Sequence, residues 1–290
     1  MQTYLDCYPC FVRQALEAAR LATDDERTIQ KALDGAMAIL QTIDLQSTPP
    51  EIGAAVHRLV REVTGNPDPY RAIKRASTDH ALALYPMLAR RVAASEDPFA
   101  TAARLAIAGN IIDLGVPDAP YDAEALRHDI ENVLRTPLTV DDMEALRAEL
   151  VGAERVLYLG DNAGETVFDR LFIEQIAAPV TYVVKATPVL NDAVLEDAQQ
   201  AGLDQVATLI DGGFDAPGTL LEHASPALRQ AWADASVVIA KGQGNFEALS
   251  QTPGRVFFLL RAKCAVIAQH LSLAQGSLIL KRSDAWPGAG

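Results

Sequence analysis

The sequence predicts an α/β protein in which a mainly parallel sheet is covered by helices on both faces and preceded by an all-helical region. Two observations predict this fold. Residues 1 to about 150 carry apolar side chains at helical spacing, whereas from Arg155 onward short runs rich in Val, Ile, Leu and Phe alternate with helical segments. Such alternation is typical of strand–helix–strand units. We therefore expect a helical domain at 1–150 and an α/β domain at 151–290.

Prolines and Ser, Thr or Asp caps separate the helices of the first half. In the first helix, Phe11, Ala15, Leu16 and Ala19 share one face. The helices predicted in this half span 10–21, 26–43, 50–64, 68–94, 97–113, 121–134 and 139–152.

The strands of the second half are apolar runs that each end at a polar or charged residue. They are predicted at 156–159, 180–184, 206–210, 237–240 and 256–260, with a candidate edge strand at 277–281. Helices are predicted between them at 165–177, 191–201, 217–233, 244–250 and 262–271. Because the carboxyl ends of parallel strands line one crevice, the residues that follow the strands are expected to meet there.

Composition excludes several classes of protein. Hydrophobic residues make up 49% of the 290 residues, so a sizeable core is expected and disorder is not. A net charge of -13 argues against a general nucleic-acid surface. No apolar run is long enough to cross a bilayer and the N-terminus does not resemble a signal peptide, so we expect a cytoplasmic protein.

Asp161 and Asn162 directly follow the first strand of the second half, and Glu165 opens the next helix. Carboxylate and amide oxygens are ligands that Mg²⁺ or Mn²⁺ accepts. Glu165 is a candidate second carboxylate or general base. The alternative is an ordinary turn followed by a glutamate that favours the helix dipole.

Asp192 follows the second strand and is a third candidate oxygen ligand if the two strands are neighbours. The alternative interpretation is that Asn191 caps the next helix, which is compatible with a ligand at the same place.

Two cationic loops follow later strands. In Lys241-Gly242-Gln243-Gly244-Asn245 the glycines allow the backbone to approach an anion and the lysine supplies charge. Arg261 and Lys263 follow the fifth strand and suit a phosphate or a carboxylate. The alternatives are a simple turn and an ordinary cationic strand end.

Two features stand apart in the first half. Cys7 and Cys10 have the spacing of half a zinc site or of a redox pair, although two structural thiols at a helix start fit equally. Asn110 and Asp113 share a helical face, with a plain helix end near Gly115 as the alternative. We include Asn110 among the candidate substrate-binding residues.

Together these motifs resemble the metal-dependent damage-control phosphatases, formerly the domain-of-unknown-function 89 family, in the branch with an N-terminal Cys-x-x-Cys. The resemblance implies a helical region on a Rossmann-like, three-layer α/β/α domain. It also implies a divalent metal, Mg²⁺ or Mn²⁺ with Co²⁺ or Ni²⁺ as alternatives, held by Asp161, Asn162 and Asp192. Lys241 to Asn245, including Gly242 and Gly244, and Lys263 would bind the substrate phosphate.

The chain departs from other branches of that family at Gln243 and at Asn245-Phe246-Glu247, so their substrates do not carry over. We expect hydrolysis of a small phosphomonoester, such as a sugar phosphate or a nucleotide-related metabolite. Asp161 as nucleophile, or a water molecule with Asp192 or Glu165 as base, remain alternatives. The rival functions are a nucleotide-cofactor enzyme such as a methyltransferase and a non-catalytic metabolite-binding protein.

Overall fold

Seven strands form one sheet in the parts of the chain that the computed structural model describes, residues 1–109 and 123–286. Their bounds are β1 Val140–Asp141, β2 Val156–Leu159, β3 Val180–Val184, β4 Thr208–Asp211, β5 Val237–Lys241, β6 Val256–Arg261 and β7 Leu278–Arg282. The order across the sheet is β1-β7-β6-β5-β2-β3-β4. All neighbouring pairs are parallel except β6 with β7, so the prediction of a mainly parallel sheet is confirmed.

The sheet has a switch point beside β2. The chain moves from β2 through β3 to β4 on one side, and returns to β5 and β6 on the other side of β2. At such a point the connections leave in opposite directions, and a crevice opens at the carboxyl ends of the two central strands. The ends of β2 and β5 are therefore where a ligand is expected.

Twelve helices are described: α1 Tyr8–Ala22, α2 Glu26–Leu40, α3 Pro49–Thr64, α4 Arg71–Ala93, α5 Pro98–Gly109, α6 Ala123–Arg135, α7 Met143–Val151, α8 Thr166–Ile173, α9 Leu195–Gln200, α10 Pro226–Asp234, α11 Gly242–Leu249 and α12 Ala265–His270. None of the helices in these parts is long and apolar enough to cross a membrane.

Alternating side chains of each strand face opposite layers, as the two-residue period of a strand requires. Val156 and Tyr158 of β2 share a core cluster with α4 to α8, whereas Leu157 and Leu159 share one with α11 and α12. The result is a three-layer α/β/α arrangement.

A third cluster joins α1, α2 and α3 through Phe11, Ile29 and Val56. The later helices of the first half, α4 to α7, instead contribute to the core on the sheet. The division into domains at 1–150 and 151–290 stays a proposal.

Two local predictions were wrong. Residues 139–152 do not form one helix, because Val140 and Asp141 pair with Ile279 and Leu280 as the strand β1. The strand predicted at 277–281 exists, but it is not at an edge, since β1 and β6 flank it. Two-residue strands have no periodicity from which the sequence could have predicted them.

Candidate active site

The loops that follow β2 and β3 are tied together by their backbones. The N–H of Ala193 donates to the carbonyl of Asp161 at 2.8 Å, and Asn162 pairs with Asp192 in an isolated antiparallel bridge. Both aspartates are buried, with 8% of Asp161 and 2% of Asp192 exposed. The three residues predicted as metal ligands therefore lie beside one another at the switch point of the sheet.

Both aspartates have a raised pKa. Burial raises the pKa of Asp161 to about 8, and the negative charges of Asp192 and Glu165 act in the same direction. Burial also raises the pKa of Asp192 to about 6, although Lys185 opposes the shift. Buried carboxylates at close quarters repel one another and resist ionisation. A cation between them would relieve this repulsion.

Two lysines neutralise part of this charge. Lys185 directly follows β3, is 3% exposed, and places its Nζ 3.4 Å from Oδ2 of Asp192. Lys263 follows β6 and is exposed, and its positive charge opposes the rise in the pKa of both Asp161 and Asp192. Lys263 thus lies near the acidic loops, on their solvent-facing side. Lys185 was not among the predicted site residues.

Glu165 and Lys241 form a buried ion pair next to the acidic loops. Nζ of Lys241 lies 3.0 Å from Oε2 of Glu165 and 2.7 Å from Oδ1 of Asp169. No part of Lys241 is exposed. These carboxylates raise the pKa of Lys241 despite its burial. Its charge therefore stabilises protein carboxylates, and direct contact with a substrate phosphate stays a prediction.

Asn162 is oriented by Glu165. Its Nδ2 donates to Oε1 of Glu165 at 2.5 Å. Because the amide nitrogen is held there, the amide oxygen is the atom left to accept or to coordinate.

Gly242 lets the start of α11 reach the end of β2. Its φ is +78°, and a Cβ at this position would lie 1.9 Å from Oδ2 of Asp161. The carboxylate of Asp161 thus occupies the space where any other residue would have a side chain. Gly244 makes a similar approach to the carbonyl of Pro217, which a Cβ would meet at 1.7 Å.

Asn245 holds this turn from behind. Its Nδ2 donates to the carbonyls of Lys241 at 2.7 Å and Gly160 at 3.2 Å, and its Oδ1 accepts from the N–H and the hydroxyl of Thr219 at 2.8 Å. The side chain is fully buried. Because these hydrogen bonds are made within the protein, a role in positioning the turn fits the geometry. Contact of Asn245 with a substrate phosphate stays a prediction.

The donors present suit a hard divalent cation. Oδ2 of Asp192 is buried and makes no hydrogen bond among the described residues. Two carboxylates and the amide oxygen of Asn162 form an oxygen donor set that Mg²⁺ or Mn²⁺ accepts, with water completing the octahedron. No cluster of three or more His, Cys, Asp or Glu side chains suited to a metal occurs within 1–109 and 123–286. The amide would therefore have to be the third protein ligand.

The predicted thiol pair lies at the start of α1. Cys7 occupies the N-cap position, and Cys10 lies in the first turn with Nη2 of Arg13 3.5 Å from its Sγ. Both thiols are free, and burial raises the pKa of Cys7. A role for this pair in metal binding or redox chemistry stays a prediction.

Some functional candidates were missed by the sequence or lie outside the described residues. Asn110, a predicted substrate-binding residue, is outside them, as is Asp113. Asp169 was missed, although it lies four residues after Glu165 and therefore on the same face of the helix. Tyr158 and Tyr182, which contact Asp169, were interpreted only as strand residues.

A strand-end acidic cluster at the switch point of a Rossmann-like sheet, with lysines beside it, is typical of an α/β protein that binds its ligand at the carboxyl ends of the strands. Comparison with known proteins specifies the class. The model of the damage-control phosphatase ARMT1-like domain matches residues 3–279. The chain belongs to this family, and the expectation of a phosphatase is confirmed.

Individual relatives agree with the family model. The chain is 34% identical to the damage-control phosphatase PH1575 of Pyrococcus horikoshii, over 98% of this chain and 99% of that protein. It is 31% identical to a damage-control phosphatase of Archaeoglobus fulgidus, over 95% and 97% of the two chains. The crystal structure of the duf89 family protein from Pyrococcus horikoshii superposes with a TM-score of 0.92 at 33% identity, covering 98% of this chain and 100% of that one.

Proposed function

We propose that this protein is a metal-dependent phosphatase that hydrolyses small phosphomonoesters, with Asp161, Asn162 and Asp192 as the metal ligands. The main support for the proposal is the bridge between Asn162 and Asp192, because it brings together candidate metal ligands from the loops after β2 and β3. The family match gives this acidic site its reaction class.

The bound metal would polarise the phosphoryl oxygens and offset the charge of the aspartates. Mg²⁺ and Mn²⁺ are the ions we favour, because all three donors are oxygen atoms. Co²⁺ and Ni²⁺ are alternatives to include in an assay.

Lys263 would bind the phosphate of the substrate. It is exposed, yet close enough for its charge to act on both Asp161 and Asp192. A cation at that place balances charge on the equatorial oxygens of the phosphoryl group during transfer. The backbone N–H groups of Gly242 and Gly244 are further candidate donors to phosphate.

We propose water as the nucleophile, with Glu165 or Asp192 accepting its proton. Glu165 is fixed by Lys241 and Asn162, so its carboxylate is held in one orientation beside the metal ligands. Asp192 is the alternative, because its Oδ2 makes no hydrogen bond among the described residues and has Nζ of Lys185 at 3.4 Å as an ion-pair partner. A fixed carboxylate within reach of the reacting group is what general base catalysis requires.

The substrate class that fits is a small phosphorylated metabolite, such as a sugar phosphate or a nucleotide-related compound. The relatives named as damage-control phosphatases support removal of phosphate from damaged or surplus metabolites.

The test is a panel of phosphorylated metabolites and para-nitrophenyl phosphate, assayed with Mg²⁺, Mn²⁺, Co²⁺ and Ni²⁺ after removal of bound metal. We expect metal-dependent phosphate release, and its loss in Asp161→Asn. Asp204→Asn, which changes an exposed aspartate away from the site, should retain full activity. Wild-type turnover by Asp161→Asn would exclude Asp161 from the mechanism, and phosphate release that ignores metal would overturn the proposal.

A further inference from the structure

Behind the proposed metal site, a fully buried carboxylate is surrounded by hydrogen-bond donors. Asp169 on α8 is 0% exposed, as are Tyr158, Tyr182 and Lys241 around it. Its Oδ1 accepts from the hydroxyl of Tyr158 at 2.8 Å and from Nζ of Lys241 at 2.7 Å. Its Oδ2 accepts from the hydroxyl of Tyr182 at 2.8 Å.

The two tyrosines are held as rigidly as the carboxylate. Tyr158 of β2 and Tyr182 of β3 are directly opposite in the parallel register. Their rings stack at 5.2 Å with an interplanar angle of 19°. A Cβ on Gly160 would lie 2.5 Å from the hydroxyl of Tyr182, so this hydroxyl packs against the backbone one residue before Asp161.

From Asp169 the contacts continue without a gap to a proposed metal ligand. Nζ of Lys241 bridges Asp169 to Oε2 of Glu165 at 3.0 Å. Oε1 of Glu165 then receives Nδ2 of Asn162 at 2.5 Å. The order is therefore tyrosine hydroxyls, Asp169, Lys241, Glu165 and Asn162.

A buried cluster that has its polar groups satisfied adopts one arrangement, because an unpaired polar group is costly away from water. With Lys241 fixed by Asp169, the carboxylate of Glu165 cannot rotate freely. The amide of Asn162 is then held with its oxygen free for coordination. Without Asp169, Lys241 would have Glu165 as its remaining carboxylate partner among these contacts.

We propose that Asp169, held by Tyr158 and Tyr182, is a positioning residue for the metal site and acts through Lys241 and Glu165 on the orientation of Asn162. This inference rests on the proposed function, since it requires Asn162 to be a metal ligand. Removing the direct hydrogen-bond partner of a metal ligand typically lowers metal affinity by about 10- to 100-fold, and Asp169 acts on Asn162 through such a partner, Glu165.

The experiment measures Mn²⁺ binding by calorimetry on metal-stripped protein, which reports on the site without any need for turnover. Tyr182→Phe and Tyr158→Phe each delete one hydroxyl and keep the ring, and each should weaken Mn²⁺ binding about tenfold. Asp169→Asn should weaken it by about 10- to 100-fold. Tyr85→Phe is the matched control, because its hydroxyl donates to the carboxylate of Glu174 at 2.6 Å on the exposed surface. That variant should bind Mn²⁺ like the wild type.

Thermal unfolding of the metal-free proteins separates positioning from stability. Should Asp169→Asn fail to fold, the two tyrosine variants still decide the question. Wild-type Mn²⁺ affinity in folded Tyr182→Phe and Tyr158→Phe would overturn this inference and leave the proposed function intact. Absence of Mn²⁺ binding by the wild-type protein would instead overturn both.

Discussion

Gly242→Ala tests a very close approach in the site, the contact between the start of α11 and the carboxylate of Asp161. A Cβ built on Gly242 lies 1.9 Å from Oδ2 of Asp161, whereas real Cβ atoms essentially never come within 3.0 Å of another heavy atom. The carboxylate therefore has to move by about 1 Å or more, and a displacement of that size in a catalytic site is worth about 100-fold in rate. We expect kcat/KM to fall by at least that factor.

The same substitution also strains the backbone. At a φ of +78°, a residue with a Cβ costs about 1–2 kcal/mol relative to glycine. For a chain of this length, that free energy lowers Tm by roughly 2–4 °C. The activity loss should therefore be much larger than the stability loss explains.

The assay is hydrolysis of para-nitrophenyl phosphate with saturating Mn²⁺, accompanied by thermal unfolding. Gly65→Ala is the matched control, because Gly65 has a φ of +68° at the end of α3 and a Cβ there would meet no heavy atom within 4 Å. It should lose similar stability and no activity. A Gly242→Ala enzyme with wild-type kcat/KM, or equal activity losses in both variants, would refute the reasoning.

Three other predictions concern phosphate, metal and pH. Lys263→Ala should lower kcat/KM by about 10- to 100-fold, because one charged hydrogen bond to the phosphate is lost. Lys31→Ala, on the exposed face of α2, is the control and should leave kcat/KM unchanged. Equal kinetics in both variants would remove Lys263 from the phosphate site. Mn²⁺ at 100 times its Kd should stabilise the metal-stripped protein by about 2.7 kcal/mol. This stabilisation is measured as a rise in Tm, which should be absent in Asp192→Asn. A rise of the same size in that variant would place the ion elsewhere. Burial lowers the pKa of His57 to about 4, so its contribution to stability is present above pH 6.5 and is lost as the pH falls towards 4. Between pH 7 and pH 4.5, the free energy of unfolding in urea should fall by about 2–3 kcal/mol more in the wild type than in His57→Gln. Equal falls in the two proteins would contradict the assignment.

Much of the fold could be predicted because the two halves of the sequence have different periodicities. Buried runs such as Val256 to Leu260 have the length and composition of central parallel strands, and the structure places a strand at each predicted run. Helix bounds were less accurate. The helix predicted at 191–201 begins only at Leu195, since Asn191 and Asp192 belong to the paired loop.

For the site, the position of a residue after a strand was the useful signal. It predicted that Asp161, Asn162 and Asp192 lie together, because neighbouring parallel strands end at one edge. It could not predict what Lys241 contacts. Its Nζ turns inward to Glu165 and Asp169, and the direction of a long side chain depends on carboxylates supplied by another helix.

By itself the sequence determined the α/β class, the family and a set of candidate site residues at strand ends, because periodicity and strand-end motifs are local properties of the chain. The tertiary structure alone decided which charged and polar groups pair with one another. Asp169, Tyr158 and Tyr182 gain their importance from being buried together around Lys241. In that environment a polar group must be satisfied by neighbours distant in sequence, since water is not there to do it.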